Sequence, residues 1–366
     1  MRGAVLAVTD WSTASPYGLG RDVHTEGVRA ERRTWAVLDP ERFPVPEPRT
    51  ACLVPGFDVR EVLGRKGTRA MNRVTGLAVA AVGALAAPEG EGQDTALVLG
   101  TTTGSLQSMM DFTRDSLTGD RPFDVDPTMI PNSVMNCAAA QCAIWHRIEG
   151  PNTTLAAGRP SGLLGLAYAR RLLVNGRARA VLCGAAEEYS GARAWIEHHN
   201  GPGPLAVPPP LGEGAAVLRV ELADAPGAGR PLATVLALHS RQCLPGTDLT
   251  AAIGTVAQQV LQQAEVTVHQ VWAAAYSGLC PAENQALEEL LGADRLRQLP
   301  DTTQLLGDTG AASAAFQLAT VLALADRAPG RIVLVTSVDD SGTVAAAVLR
   351  LATEPASDRS ETGGMQ

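Results

Sequence analysis

The amino-acid sequence predicts an α/β protein whose parallel-rich sheets are covered by helices on both faces. Short β-branched and apolar runs alternate with longer segments whose apolar residues recur at helical spacing. This alternation occurs in both halves of the chain, and a strand, a sharp turn and a helix follow one another within Gly150–Gly176. With 366 residues, 45% of them hydrophobic, the chain can bury the large core of such a layered fold.

The first half opens with a buried strand, Ala4–Val8, followed by a proline-rich, charged loop over Ser15–Pro48. The segments that follow are a helix at Val74–Ala87, a strand at Thr95–Thr103, helices at Ser105–Leu117 and from Pro131, strands at Asn152–Ala157, Ala180–Glu188 and Gly212–Glu221, a helix carrying Leu163 to Leu173, and a loop at 190–211. His198 and His199 fall in that loop, so we interpret them as solvated side chains rather than ligands.

The second half starts near Arg230 and repeats the alternation. It is predicted to contain strands at Leu232–Leu238, Gln270–Tyr276, Arg331–Val338 and Thr343–Leu351 and helices at Leu249–Val266, Ala282–Leu291 and Ala311–Arg327. The chain therefore divides into an N-terminal half, 1–229, a C-terminal half, 230–352, and a polar tail, 353–366, which we expect to be disordered.

The turn after the strand at Asn152–Ala157 occupies a position typical of a nucleophile. Such a turn lifts one residue to the top of the sheet and directs the positive end of the following helix at it. Here that residue is Arg159. A guanidinium group is permanently protonated and cannot attack a carbonyl carbon.

The segment GPNTTLAAGRPSG, Gly150–Gly162, resembles the nucleophile elbow of the β-ketoacyl synthases, a thiolase-fold family with the pattern G-P-x-x-x-x-x-T-A-C-x-S-G. The match has no gap, and the family's cysteine falls on Arg159. Four further segments resemble the family in the right order: GTTTGS from Gly100, IPNSVMNCAAAQCAIWHRIEG from Ile130, VLCGAAEE from Val181 and GEGAAVLRVE from Gly212. The resemblance implies a thiolase fold, with two similar βαβ halves forming α-β-α-β-α layers.

The resemblance also implies catalytic residues that this chain lacks. The family uses two histidines and a lysine to assist condensation of a malonyl unit with a cysteine-bound acyl chain. The first histidine falls on Ala274 in AAAYSG, the second on Asp308 and the lysine on Thr303 in TQLLGDTGAAS. The family's C-terminal gate loop is matched loosely by VDDSG, Val338–Gly342, which brings carboxylates instead. Arg159, Ala274, Thr303 and Asp308 are therefore degenerate positions, and no residue is predicted to be catalytic.

An inactive member of this family resembles the chain-length factors of type II polyketide synthases. The resemblance implies a heterodimer with an active ketosynthase, an acyl carrier protein that brings the growing chain, and an interface tunnel that sets its length. The usual replacement for the cysteine in that group is glutamine, so Arg159 is a departure. The family's tunnel wall corresponds to the helix after GTTTGS, and the candidate residues are Leu106, Met109, Met110, Phe112 and Thr113, with Met129 opposite. The alternative is that Met109, Met110 and Phe112 are ordinary core residues.

Three interpretations of Arg159 remain open at this point. It pairs with a carboxylate such as Asp308, contacts a partner subunit, or binds an anionic group such as the phosphate of a thioester carrier. A different function is also open: a self-standing thiolase-fold acyltransferase or hydrolase whose nucleophile is Ser161 or Cys280. The simpler interpretations are that Ser161 stabilises the turn and that Cys280 is a structural thiol.

Composition limits the remaining function classes. A net charge of −8 argues against a nucleic-acid partner, and no uncharged run approaches the roughly 20 residues of a membrane span. The chain opens without a signal-peptide pattern, so the cytoplasm is expected. We interpret the six cysteines as reduced core residues, and the Cys142 and His146 pair as core rather than metal ligands. No cofactor and no metal are predicted.

Overall fold

The computed structural model describes residues 4–41, 43–46, 49–201 and 208–353. The predicted tail from residue 354 and part of the predicted loop, 202–207, lie outside these ranges. The strands of the described residues are β1 (Leu6–Ser15), β2 (Gly18–Leu19), β3 (Ala36–Val37), β4 (Thr50–Cys52), β5 (Thr95–Gly100), β6 (Asn152–Leu155), β7 (Ala180–Glu187), β8 (Leu211–Gly212), β9 (Gly214–Leu222), β10 (Ala233–Gln242), β11 (Val271–Ala275), β12 (Ile332–Val338) and β13 (Thr343–Leu351).

Helices alternate with these strands, as the sequence predicts. They are α1 (Arg21–Arg29), α2 (Val59–Leu63), α3 (Arg73–Gly83), α4 (Leu106–Thr118), α5 (Cys137–His146), α6 (Ser161–Val174), α7 (Gly191–Asn200), α8 (Leu249–Gln263), α9 (Pro281–Leu291), α10 (Thr302–Leu306) and α11 (Ser313–Ala323). Short 3₁₀ turns lie at Pro127–Ser133, Val268–Gln270, Gly310–Ala312 and Ala325–Arg327.

The large sheet contains the same four-strand pattern twice. Its order is β11-β12-β13-β10-β1-β9-β7-β5-β6. In the N-terminal half β5 and β7 are parallel, while β9 is antiparallel to both β7 and β1; β11, β12, β13 and β10 repeat these relationships. Strands β1 and β10 also share a register shift, at Val8/Asp10 in β1 and at Val235/Ala237 in β10. The sheet therefore consists of two similar units joined by the antiparallel pair β1 and β10.

Helices form three layers around these two units. Helices α6 and α11 lie between them, in a core that draws on strands of both halves. Helices α3 and α5 cover the outer face of the N-terminal strands, and α8 and α9 cover the outer face of the C-terminal strands. This is the α-β-α-β-α arrangement that the resemblance to the β-ketoacyl synthases implies.

Three sequence expectations are wrong. Helix α1 lies within the segment interpreted as loop at Ser15–Pro48, and α7 lies within the expected loop at 190–211, where it carries His198 and His199 as exposed residues. The large sheet is not parallel-rich: its parallel pairs are β5 with β6, β5 with β7 and β11 with β12, whereas its other pairs are antiparallel. Hydrophobic periodicity reports burial and element type, but it carries no information on strand direction.

Candidate functional site

The turn between β6 and α6 places Arg159 at the centre of the site. Gly158 adopts a φ of 61°, which favours glycine. A Cβ atom at this position would lie 1.9 Å from Asp339 Oδ2, because that carboxylate packs directly on the turn. The same oxygen accepts a hydrogen bond of 3.0 Å from the backbone N–H of Arg159. The strand–turn–helix predicted from the sequence is confirmed.

The guanidinium of Arg159 is held by two carboxylates. One terminal nitrogen lies 3.0 Å from Asp308 Oδ2, and the other lies 3.0 Å from Asp340 Oδ2. The side chains of Arg159 and Asp308 are only 17% and 13% exposed, whereas Asp340 is 76% exposed. The ion pair between Arg159 and Asp308, one of the three possibilities left open by the sequence, is therefore formed.

The charges in this pair stabilise each other. Burial alone would lower the pKa of Arg159, but the charges of Asp308 and Asp340 and their hydrogen bonds raise it above its ordinary value. Burial would raise the pKa of Asp308, but Arg159 and Arg193 outweigh it and hold that pKa below its usual value. Asp308 is thus an ionised acceptor, and neither group of the pair is poised for proton transfer.

A second arginine, Arg193, fixes the backbone around Asp308. It extends from α7 and donates hydrogen bonds of 2.9 Å to the carbonyl oxygens of Gly212 and Asp308. Its terminal nitrogen also lies 3.9 Å from Asp308 Oδ1. Sequence reasoning missed Arg193 because its helix was interpreted as loop. The available signal was Ser190, which caps α7 by accepting the N–H of Arg193.

Two buried carboxyl groups flank the arginines and were also missed as site residues. Glu187 accepts hydrogen bonds from the N–H and hydroxyl of Thr102 and from the N–H of Ala311, and burial raises its pKa. Glu283 accepts hydrogen bonds from Ser277 and Thr336, and burial raises its pKa to about 7, although the charge of Arg159 acts in the opposite direction. VLCGAAEE was recognised only as scaffold, so its chemistry was overlooked.

The other two degenerate positions lie apart from this ion-pair centre. Ala274 is buried in β11 on the face that packs against α8 and α9, whereas Ala273 and Ala275 face the central layer. Thr303 is buried in α10, and its backbone carbonyl accepts the N–H of Gly307. The structure brings Arg159 and Asp308 together, while Ala274 points to the opposite side of the sheet.

The candidate tunnel residues lie on a helix that buries little of its surface. On α4 the only buried residue is Ser108. Leu106, Met109 and Phe112 are half-buried, and Met110 and Thr113 are exposed. Met129 is half-buried in the 3₁₀ turn at Pro127–Ser133, which packs against α4. In this chain these side chains are not ordinary core.

The region around α4 carries a concentration of exposed apolar side chains. Those exposed between residues 110 and 144 are Met110, Leu117, Phe123, Ile130, Val134, Met135 and Ile144, which we call the apolar surface. Leu117, Phe123 and Ile144 are exposed by 80%, 70% and 73%. Strand β6, at the end of the sheet, lies next to α5 and pairs on one side with β5. Exposed apolar groups beside an edge strand are typical of an interaction surface.

The alternative nucleophiles have structural roles in this arrangement. Ser161 is fully buried, donates a hydrogen bond of 2.7 Å to the carbonyl of Gly158 and accepts the N–H of Ala157. Cys280 is half-buried at the start of α9, and burial raises its thiol pKa, which disfavours the reactive thiolate. The other five cysteines are buried and free, as the sequence predicts.

The described ranges offer neither a metal site nor a membrane-spanning helix. No group of three or more His, Cys, Asp or Glu residues in these ranges is arranged to hold a metal ion. Cys142 lies in the core, and His146 Nε2 lies 2.9 Å from the carbonyl oxygen of Val79. Within the same part of the chain, no helix combines the length and apolar character needed to cross a bilayer.

Comparison with known sequences identifies several relatives. The profile of the β-ketoacyl synthase N-terminal domain matches residues 63–203. A 3-oxoacyl-[acyl-carrier-protein] synthase 2 from Vibrio cholerae is 27% identical over 150 residues, covering 39% of this chain and 36% of the relative. A putative polyketide beta-ketoacyl synthase 2 from Streptomyces virginiae is 29% identical over 199 residues, covering 52% and 48%. The matches span between a third and a half of these curated relatives.

Comparison with solved structures covers almost the whole chain. The ishigamide ketosynthase/chain length factor superposes with a TM-score of 0.89 and 44% identity, over 95% of this chain and 99% of that one. A β-ketoacyl synthase from Burkholderia phymatum STM815 gives a TM-score of 0.81 at 19% identity, over 95% and 100%. At that lower identity, the likeness supports the fold alone.

Proposed function

Because this chain belongs to the β-ketoacyl synthase family, with the ketosynthases and chain length factors of type II polyketide synthases, we propose that it is a non-catalytic, chain-length-determining subunit. It pairs in the cytoplasm with an active ketosynthase, and an acyl carrier protein presents the growing polyketide or polyene chain to the complex. The observation that carries this proposal is the ion pair between Arg159 and Asp308 at the elbow.

The ion pair is incompatible with condensation in two ways. Acyl transfer needs a nucleophile at the top of the elbow, and a guanidinium cannot serve as one. Stabilisation of the resulting oxyanion needs hydrogen-bond donors, whereas ionised Asp308 can only accept. The charges of Arg159 and Asp308 also compensate each other, so the ion pair needs no substrate to balance it.

Partner binding is supported by the apolar surface and by the edge strand β6. Side chains as exposed as Leu117, Phe123 and Ile144 favour burial against a second protein, at about 25 cal/mol per Å² of apolar area. An edge strand offers backbone groups to the same partner. A ketosynthase of the same fold can supply both an equivalent strand and an equivalent apolar face.

Control of chain length is a steric consequence of that pairing. When the partner covers α4, Leu106, Met109, Met110, Phe112 and Thr113 become part of the interface, with Met129 beside them. A chain that grows along them stops when its end meets a side chain, because an extra methylene group in a packed pocket costs on the order of 1 to 3 kcal/mol.

The proposal is tested by the length of the product. The chain and its partner ketosynthase are co-expressed with the carrier protein, and the products are measured by mass spectrometry for wild type and for the Met109→Ala and Phe112→Ala variants. We expect longer products from these variants, and an unchanged distribution from the control Arg114→Ala on the same helix. Unchanged product length in both variants, with the heterodimer intact, would contradict the proposed role of α4.

A further inference from the structure

A cleft at the far end of the C-terminal strands carries a concentration of positive charge. It has a volume of about 690 Å³ and lies where β11 and β12 begin. Its charged or titratable lining residues are Arg295, Arg297, Arg331 and His269, and no carboxylate is among the lining residues. Such a concentration is notable in a protein with a net charge of −8.

The three arginines come from adjacent segments with fixed backbones. Arg297 lies in the segment that runs along the outer edge of β11, where its carbonyl accepts the N–H of Ala274 at 2.8 Å. Arg331 immediately precedes β12, next to the start of β11, and its carbonyl accepts the N–H of Leu351. The N–H of Arg295 donates to the carbonyl of Gly292. Backbone hydrogen bonds therefore hold all three segments beside the cleft, so no loop has to become ordered before a ligand binds.

Neighbouring side chains orient two of these cations without neutralising them. The guanidinium of Arg297 lies 4.6 Å from the ring centroid of Trp272, within the range of a cation–π contact. Arg295 donates a hydrogen bond to Nδ1 of His269. Neither partner is a carboxylate, and the guanidinium of Arg331 forms no ion pair with any residue in the described ranges. This contrasts with Arg159, whose charge is balanced by Asp308.

We propose that this cleft binds a small organic phosphate. Guanidinium groups bind phosphate oxygens through paired N–H donors, and several of them around one cavity favour a multiply charged anion. The volume lies within the range of small-molecule pockets, about 300 to 1,000 Å³. Leu291 and Trp272 provide apolar surface in the cleft for the rest of the ligand.

The cleft is independent of the elbow and of the proposed function. Arg331 and Asp339 lie at opposite ends of β12, whose seven residues span roughly 23 Å at about 3.3 Å per residue. A ligand here does not reach Arg159, so its binding is measurable separately from product length.

The test is isothermal titration calorimetry with pyrophosphate and with ADP as probes, on the purified full-length chain. We expect saturable binding that weakens as salt is added, and a loss of affinity of at least tenfold in the double variant Arg297→Ala/Arg331→Ala. Arg60→Ala, a change of an exposed arginine on α2, is the matched control and should bind as wild type does.

A second variant separates recognition from folding. Arg297→Lys/Arg331→Lys keeps the charge but loses the paired donors, so we expect weaker binding than in wild type. The melting temperature of each variant checks that the fold is intact. The proposal is overturned if neither pyrophosphate nor ADP binds saturably, or if wild type and both double variants bind with equal affinity. Either result holds whether or not chain-length control is confirmed.

Discussion

The two halves of the molecule share a strand pattern but differ in how completely their helices cover the strands and the apolar side chains next to them. In the C-terminal half, α8 and α9 pack into a closed apolar cluster over β10 to β13. In the N-terminal half, α3 and α5 cover the strands, but the following region around α4 leaves the apolar surface open and β6 at the sheet edge. The C-terminal half is covered within the chain, whereas the N-terminal half presents a surface that a second protein can cover.

A second contrast separates the scaffold of the elbow from the side chains on it. The turn keeps its close backbone contacts at Gly158, Ser161 and Gly162. By contrast, Arg159 and Asp308 stand at the two positions where the resemblance to the family places a catalytic cysteine and a catalytic histidine. The fold tolerates a new charge at the elbow because an opposite charge appears on the facing loop.

The contact between the halves at the central layer should be the most sensitive. A Cβ atom at Gly162 would lie 2.5 Å from the backbone nitrogen of Ala315, which is in the first turn of α11 and cannot move freely. We expect Gly162→Ala to destabilise the protein by about 3 kcal/mol. In the outer helix α8, Gly254 has open space around it, so Gly254→Ala should stabilise by about 0.5 to 1 kcal/mol. Urea unfolding measures both, and equal effects would contradict the packing described for α6 and α11.

Breaking the ion pair at the elbow should have the next largest effect. Arg159→Ala leaves Asp308 buried with Arg193, at 3.9 Å, as its remaining cationic partner in the described residues, so we expect a loss of about 2 to 3 kcal/mol. Asp340→Asn removes an exposed partner and should cost less than about 1 kcal/mol. A double-mutant cycle of Arg159→Ala and Asp308→Asn gives the coupling energy. A coupling near zero would mean that the contact does not stabilise the elbow.

Glu188 in the N-terminal half and Glu283 in the C-terminal half are buried glutamic acids that should make stability depend on pH. Burial raises the pKa of Glu188 in the N-terminal half and of Glu283 in the C-terminal half to about 7. Since the unfolded value is about 4.3, the native state binds more protons than the unfolded state between these pH values, and the free energy of unfolding falls as pH rises from about 4.3 through 7.

Glutamine at either position removes its part of this dependence. We expect urea unfolding at a series of pH values to give a smaller decline for Glu188→Gln and for Glu283→Gln than for wild type, with a further reduction in the double variant. A decline of wild-type size in the double variant would show that other groups cause it.

The apolar surface should contribute little to the stability of the chain but much to partner binding. Phe123→Ser and Ile144→Ser change exposed side chains, so the unfolding free energy should stay within about 0.5 kcal/mol of wild type. Affinity for the partner ketosynthase, measured by biolayer interferometry, should fall at least tenfold. Leu244→Ser, at an equally exposed position in the C-terminal half, is the control and should leave that affinity unchanged.

Much of the fold could be predicted because periodicity and turn residues were clear. In the C-terminal half the predicted helices and strands agree with the observed ones to within a few residues, although the short helix α10 was missed; β13, for example, spans Thr343–Leu351 as expected. Helices α1 and α7 were missed because charged and proline residues around them masked short amphipathic patterns. Strand direction was misjudged because it depends on connections that hydrophobic patterning does not encode.

The candidate site was only partly predictable. The pairing of Arg159 with Asp308 was one of three interpretations that the sequence left open, and the structure shows that it forms. Arg193 and Asp339 could not be assigned, because their roles depend on backbone contacts across 115 and 180 positions of the chain. The position of Ala274 on the far face of β11 likewise follows from register rather than from spacing.

The most direct test of the central claim is acyl transfer to the subunits of the purified complex. The complex is incubated with an acyl thioester substrate, and each subunit is weighed by intact-protein mass spectrometry. If Arg159 has replaced the nucleophile, the partner ketosynthase gains the mass of the acyl group and this chain keeps its unmodified mass. A covalent acyl adduct on this chain, at Ser161, Cys280 or any other residue, would contradict the account.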